Sequence, residues 1–282
     1  MIPVVKLKQN LRFNKDLGEL IEVMKLAATL QFNQFRLRRQ PANQFSSLLE
    51  SALKVIASKN IKHRLLEPAG DLPKAIILVS SDEGFLGELN VLLVNSMIGV
   101  RGMQDQIIVV GSQGADYLDQ LGIKFNSLSS PGEKVDYKQI QDLRDDIFKR
   151  FLTGEIGGIH IVYPRFLSLT VQEVESETLL PLPELPAVDN QPENLSVDFI
   201  IEPDFDSVIR GWVKLWLGAK LYQIFWTAKL AEYAARIMHL ESSIQELNRV
   251  NHQLKLEYFK FLHTLSDTSI REISSSRMAA KH

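Results

Sequence analysis

The sequence predicts an α/β protein in which the N- and C-terminal helices form a long antiparallel coiled coil, joined to a small Rossmann-like α/β domain. Three observations carry that prediction. Apolar residues of the first segment recur at steps of three and four, as one face of a helix requires. The middle of the chain alternates short apolar runs with helical patterns, the signature of crossover connections in a mainly parallel sheet. From Asp204 onward there is no proline and only Gly211 and Gly218 interrupt a helical pattern. The predicted division is an N-terminal helical arm over 1–73, an α/β domain over 74–202 and a long C-terminal helix over 203–282.

The first helix carries its stripe at Leu7, Leu11, Leu17, Ile21, Met24, Ala28, Phe32 and Phe35. Pro41 interrupts it, because proline lacks the amide hydrogen and crowds the preceding turn. The pattern restarts from Gln44 to Ser58, and the sequence leaves open whether Pro41 is a kink or an end. Ala75–Val79 reads as a buried strand, followed by the polar turn SSDEG and a helix from Phe85 to Val100. A second strand, Ile107–Val110, closes at Gly111 ahead of a helix around Ala115–Leu121. Asp136–Leu152 is helical again, with Ile140, Leu143, Ile147, Phe148 and Phe151 on one side. Ile159–Tyr163 is a third strand, stopped by Pro164. Four prolines make Leu180–Pro192 an extended loop, and Val197–Ile201 is a candidate closing strand. Asp204 is placed to cap the last helix.

That helix is predicted over 205–275, about 105 Å at 1.5 Å per residue. Its apolar positions are Leu221, Ile224, Phe225, Ala228, Ala231, Ala235, Met238, Ile244, Leu247, Leu254, Tyr258, Phe261 and Leu265. A domain this small cannot bury so long a helix within itself. The economical partner is the N-terminal helix, paired antiparallel. The N-terminal helix is the shorter, so the C-terminal end is expected to project alone or to enter another protein.

Composition narrows the function classes. At 45% hydrophobic and 23% charged residues the chain has the makings of a folded core, and disorder is excluded. A net charge of −2 favours neither nucleic acid nor a membrane surface as partner. Cysteine is absent, which removes disulfides, thiol catalysis and cysteine-based metal sites. The N-terminus becomes charged too early for a signal peptide, and no apolar run is long enough to span a bilayer.

Candidate chemistry is sparse. Val109-Val-Gly111-Ser-Gln-Gly114 lies between a strand and a helix, where a dinucleotide fold holds its phosphate loop, but only two of the three glycines are present. A tight strand-to-helix turn explains them better. In SSDEGFLGELN the acids Asp82, Glu83 and Glu88 would repel phosphate. The six histidines show no metal-ligand spacing; His160, between two isoleucines, reads as a partly buried strand residue. No catalytic residue, cofactor or metal site is expected.

The segment Leu20-Ile-Glu-Val-Met24-Lys25-Leu-Ala27-Ala28 resembles the "I-T-x-A-M-K-x-V-A-A" segment of F-type ATP synthase gamma subunits. In the same order follow VSSDEGFLGELN (79–90), similar to the family's "SSDRGLCGGxN", and VVGSQGADYL (109–118), similar to its "G-x-K-G" turn. VYPRFLS (162–168), LLPL (179–182), FIIEPDFDSVI (199–209), AEYAARIM (231–238), LKLEYF (254–259) and SIREIS (269–274) resemble further family elements. The resemblance covers nearly the whole chain. It implies a central rotor stalk: a coiled coil inside a ring of alpha and beta subunits, with the α/β domain bound to an epsilon-type subunit and a c-ring. It further implies a non-catalytic subunit without cofactor, held peripherally at the cytoplasmic face of a membrane through its complex. The partner contacts it implies are Met24, Lys25, Asp82, Glu83, Gly84, Leu254, Phe261, Ile270 and Arg271. The departures are specific. Glu83 replaces the family's arginine, Leu86 a cysteine and Glu88 a glycine. The family's "Y-N-x-A-R-Q-A" reads Tyr258-Phe259-Lys260-Phe261-Leu262-His263-Thr264, without the polar groups credited with gripping the beta subunits. Two other readings stand beside this one: a coiled-coil scaffold or non-pumping stalk, and a Rossmann-like nucleotide-binding enzyme resting on Gly111 and Gly114.

Overall fold

A computed structural model describes residues 4–57, 63–67, 72–128, 132, 135–182 and 204–279, with side chains up to Leu37 in the first helix and up to Ser276 in the last. The elements in order are α1 (Val4–Ala57), β1 (Lys74–Val79), α2 (Leu89–Val100), β2 (Gln106–Val110), α3 (Ser112–Gln120), β3 (Asn126–Leu128), α4 (Tyr137–Thr153), β4 (Gly158–Phe166), β5 (Gln172–Leu180) and α5 (Phe205–Ala279). The chain falls into two compact units, Met1–Ala28 with Ile237–His282, and Thr29–Arg236.

In the first unit α1 and α5 run antiparallel. Asn14 Nδ2 donates to Asn251 Oδ1 (2.9 Å), and Lys25 Nζ meets Glu241 Oε2 at 3.0 Å. Between them a Cβ on Gly18 would lie 3.3 Å from the Leu247 side chain, so glycine permits a close approach there. As the α1 number rises the α5 number falls, with paired numbers totalling about 265 throughout, which sets Val4 level with Phe261. Leu7 and Ala28 are buried and Leu11, Leu17, Ile21 and Met24 half-buried, while the residues between them are largely exposed. The predicted stripe is the observed inner face. A polar pair within such a seam fixes register at some cost in stability.

The second unit is built on a five-stranded sheet in the order β3-β2-β1-β4-β5. β1 lies parallel to both β2 and β4, β2 parallel to β3, and only β5 runs antiparallel, against β4. β1 and β2 are buried on both faces, which explains their continuous apolar runs. Ile76, Leu78, Ile107, Val109 and Val162 point to one face, where Leu89, Leu93, Val94 and Met97 of α2 and Leu118 of α3 pack on them. The alternate residues face the other way; there Val110 shares a cleft with Ile140 and Leu143 of α4 and Phe225 of α5. Residues 29–37 of α1 pack on α5: Phe35 stacks on Trp226 (4.4 Å between centroids) and Tyr233 (5.5 Å), and Trp226 Nε1 donates to the Phe35 carbonyl at 3.0 Å.

Helix ends follow their caps. Asp204 accepts from Ser207 N at 2.8 Å to open α5, as its position predicted. Asp136 accepts from Lys138 N to open α4, which closes on Gly154 in the left-handed region.

Two expectations are corrected, one open question is decided and two strands are added. Pro41, left open as a kink or an end, does not end the first helix: α1 is continuous from Val4 to Ala57, and the apolar pattern resuming beyond it offsets a proline cost of about 3 kcal/mol. Pro164 does not end the third strand, because β4 pairs with β1 only as far as Val162 and past that point no donor is needed on that side. The helix expected from Phe85 starts at Leu89, as Phe85 (φ 64°) and Gly87 (φ 60°) are not helical. β3 and β5 were not anticipated: β3 is three exposed residues, and in β5 Glu173, Glu175 and Glu177 alternate with Val174, Ser176 and Thr178. The candidate strand Val197–Ile201 lies outside the described residues.

The Lys25–Glu241 pair makes the first unit's stability depend on pH. Glu241 is held below the usual carboxylate range, first by the hydrogen bond from Lys25; Lys25 is raised above the usual lysine range, first by the same bond. The carboxylate's contribution is present above its unfolded pKa of about 4.3 and is lost as pH falls through the lower folded value. The ammonium's is present below about 10.4 and is lost as pH rises through the higher folded value. The melting-temperature difference between wild type and Lys25→Met is therefore expected to be flat from about pH 5 to about pH 10 and to shrink outside that window. A circular-dichroism melting series checks this.

Candidate partner-contact surfaces and the α/β crevice

The sheet order creates the crevice where doubly wound folds bind ligands, at the carboxyl ends of the strands flanking the reversal. Here the chain itself fills it. A cavity of only about 20 Å³ remains, lined by Ser80, Ser81, Asn90 and Pro164 together with Phe225, Ala228, Lys229 and Glu232 of α5. That is room for little more than a water molecule.

The glycine turn is a packing device. Gly111 adopts φ 101°, and a Cβ there would fall 2.4 Å from the Ser80 carbonyl oxygen. A Cβ on Gly114 would meet Ser80 Oγ at 2.4 Å. Ser80 Oγ donates to the Val110 carbonyl and accepts from Gly114 N (3.0 Å). Ser112 N donates to Asp82 Oδ1 at 3.2 Å, and Gln113 N to the Ser81 carbonyl at 2.9 Å. The first amides of α3, which a phosphate would need, are thus engaged by the end of β1 and the Asp82 carboxylate. Among the described residues no group of three His, Asp or Glu converges as a metal site. His160 is half-buried and both ring nitrogens are hydrogen-bonded, to Thr178 Oγ1 and Ser176 Oγ; burial lowers its pKa.

Of the residues implied as partner contacts, Lys25 is paired with Glu241 and Met24 is half-buried beside it in sequence. Leu254 and Phe261 are half-buried on α5, whereas Ile270 and Arg271 are exposed. Asp82, Glu83 and Gly84 come together in the loop between β1 and α2, each with a partner. Arg236 Nη1 meets Glu83 Oε2 at 3.1 Å, its Nη2 meets Glu232 Oε1 at 2.8 Å, and its Nε donates to the Gly84 carbonyl at 3.4 Å. Lys229 adds a 2.8 Å contact to Glu232.

Glu232 and Arg236 are the functional-looking pair that sequence reasoning passed over. Their side chains are each only 6% exposed, inside the apolar run of α5. The signal was there: two opposite charges four residues apart on a helix face, in AEYAARIM. Glu83, the position where the chain departs from the family's arginine, supplies the second acid to Arg236.

Two outcomes follow. Gly111→Ala forces a side chain into positive φ and onto Ser80, and should destabilise the second unit by more than about 2 kcal/mol. Glu232→Gln leaves Lys229 and Arg236 with one acid between them, and should cost about 3–5 kcal/mol. Urea denaturation of each variant beside wild type measures both.

Comparison with known proteins bears on this arrangement. The family model described as ATP synthase matches residues 4–276. The ATP synthase gamma chain of Clostridium perfringens is 29% identical over 292 residues, covering 99% of this chain and 98% of that one. The gamma chain of Clostridium kluyveri is 26% identical, covering 99% and 98%. In structure the chain is similar to one in the Euglena gracilis mitochondrial ATP synthase assembly of OSCP, F1 and c-ring, at TM-score 0.69 and 14% identity over 98% of this chain and 94% of that chain. It is also similar to one in the Tetrahymena thermophila mitochondrial ATP synthase central stalk and c-ring, at TM-score 0.60 and 15% identity over 79% and 99%. With a family match spanning all but the extreme termini and relatives of the same length, the chain belongs to the ATP synthase gamma-chain family.

Proposed function

We propose that this chain is the central rotor stalk of a rotary F-type ATP synthase or ATPase, coupling ion-driven c-ring rotation to ATP synthesis or hydrolysis in an alpha/beta ring. The observation that carries the reading is the helix pair of the first unit. Its register is set by Asn14–Asn251 and Lys25–Glu241, and α5 continues past the point level with Val4. Every described side chain from Leu262 to Ser276 is exposed, including Leu262, Leu265, Ile270 and Ile273. A helix end that presents apolar groups without an intramolecular partner is suited to insertion into another protein.

The subunit itself performs no bond chemistry on this reading. A stalk acts by contacting one conformation of a ring subunit better than another, and by linkage the ring's ATP chemistry turns the stalk with the same coupling. That task asks for stiffness and shape, and the filled crevice fits it. The arms 1–73 and 203–282 serve as the shaft, and the domain 74–202 meets the epsilon-type subunit and the c-ring. The contacts with partners run through Met24, Lys25, Asp82, Glu83, Gly84, Leu254, Phe261, Ile270 and Arg271. On this reading the stalk is held peripherally, at the cytoplasmic face of a membrane, through its complex; among the described residues no helix is long and apolar enough to cross a membrane.

A second reading has one observation in its favour. The stretch Tyr258 to Thr264 lacks the family's polar gripping groups, as suits a stalk or scaffold that does not drive the ring. Observation of a bead attached to the α/β domain in a reconstituted complex separates the two, since a static scaffold does not turn on ATP addition.

Leu254→Asp and Phe261→Asp place a charge on the half-buried face of α5. Each should weaken helix pairing or ring insertion by about 1–3 kcal/mol. Quantitative co-purification with alpha- and beta-type subunits reads this, and unchanged recovery of both variants would count against the shaft assignment.

A further inference from the structure

Beside the filled crevice, and wholly within the second unit, a cleft of about 340 Å³ opens where Val110 ends β2 and Leu128 ends β3. α4 forms one wall and Phe225 of α5 another. The volume is at the small end of ligand pockets, which run from about 300 to 1,000 Å³. The floor is apolar and preformed: Val110, Ile140, Leu143 and Phe225 are each buried in the packing of the unit. Leu128, at 39% exposure, stands at the mouth.

The rim is acidic, and the chain leaves it uncompensated. Gln139, Asp142 and Asp146 line the cleft from α4 at steps of three and four, which sets them on one helix face. Two carboxylates so placed repel one another. Asp142 is exposed and forms no ion pair among the described residues, Lys138 one turn before it included. Asp146 has only Arg150, at 3.5 Å, and Glu155 holds that guanidinium more closely, at 2.9 Å. The nearby cations Arg144 and Lys214 are both engaged by Asp145.

An apolar floor below free carboxylates suits a molecule with an apolar body and a positively charged head. An anion would be repelled, and a neutral molecule would leave the rim unanswered. We propose that this cleft binds a small organic cation, its body on Ile140 and Phe225 and its charged nitrogen between Asp142 and Asp146. The exposed Gln139 amide oxygen is a further acceptor for the nitrogen's hydrogens. The site uses residues of the second unit alone and needs no partner subunit, so it stands apart from the stalk function. A molecule held there touches the sheet, α4 and α5 together, and its binding stabilises the folded chain.

Three probes share one indole body and differ in the head: tryptamine, tryptophol and indole-3-propionate. Each is titrated into the full-length chain by calorimetry, with methyl NMR to locate binding and thermal melts in parallel. Tryptamine is expected to bind with a dissociation constant in the millimolar range or below, to shift the methyl signals of Val110, Leu128, Ile140 and Leu143, and to raise the melting temperature. Tryptophol should bind about fivefold more weakly and indole-3-propionate more weakly still. Asp142→Asn with Asp146→Asn should weaken tryptamine about tenfold. That variant should melt close to wild type, since the like charges are gone while Arg150 keeps Glu155. Leu128→Trp should fill the mouth and weaken all three probes. Equal binding of tryptamine and indole-3-propionate overturns the proposal, as does unchanged tryptamine affinity in the doubly substituted chain. Methyl shifts confined to residues outside the cleft, or no saturable tryptamine binding up to about 10 mM, overturn it equally.

Discussion

The structure depends on the pairing of its two chain ends. Hydrophobic contact alone would leave an antiparallel helix pair free to slide by whole turns, because aliphatic side chains fill one another's gaps almost equally well in neighbouring registers. Asn14–Asn251, Lys25–Glu241 and the close approach at Gly18 are each satisfied in one register only. They stabilise weakly as individual contacts, since they are partly exposed. Their effect is to make every other alignment worse, which is what a part transmitting angle rather than binding a ligand requires.

The same helix, α5, explains why a Rossmann-like sheet here carries no sign of Rossmann chemistry. The crevice at the sheet's reversal is a default ligand site because strand ends and helix amides converge there. In this chain Phe225, Ala228 and Glu232 of α5 enter it, Ser80 fills the glycine turn, and Asp82 takes the α3 amide. Gly111 and Gly114 are thus read correctly as a close approach of backbone and wrongly as room for a phosphate. The architecture is retained and its opening is used for internal packing.

Much of this was legible in the sequence, and the illegible parts share a cause. The buried strands β1, β2 and β4 announce themselves through their apolar runs, and the cap at Asp204 because its chemistry is local. β5 was invisible because an edge strand has neither face fully buried: Glu173, Glu175 and Glu177 line one side, and Ser176 and Thr178 the other. Pro164 was misread because the partner its backbone amide would have had is set by strands remote in sequence. The Glu83–Arg236 contact spans some 150 positions, and no periodicity could reveal it.

That contact bears on how a divergent stalk holds its shape. Glu232 and Arg236 are buried charges with Lys229 half-buried beside them, and in other proteins exchanging a buried ion pair for apolar residues of similar size is often neutral or stabilising. Their retention in α5 is better explained by what they orient. Arg236 uses three nitrogens on three acceptors, and two of those acceptors belong to the loop between β1 and α2. An apolar replacement would bury the helix as well but would remove the loop's contacts with α5 through Glu83 and Gly84. The charges therefore convert a surface turn into a fixed feature of the second unit, and the exposed groups on that turn, Phe85 first among them, take their position from a residue buried in the helix.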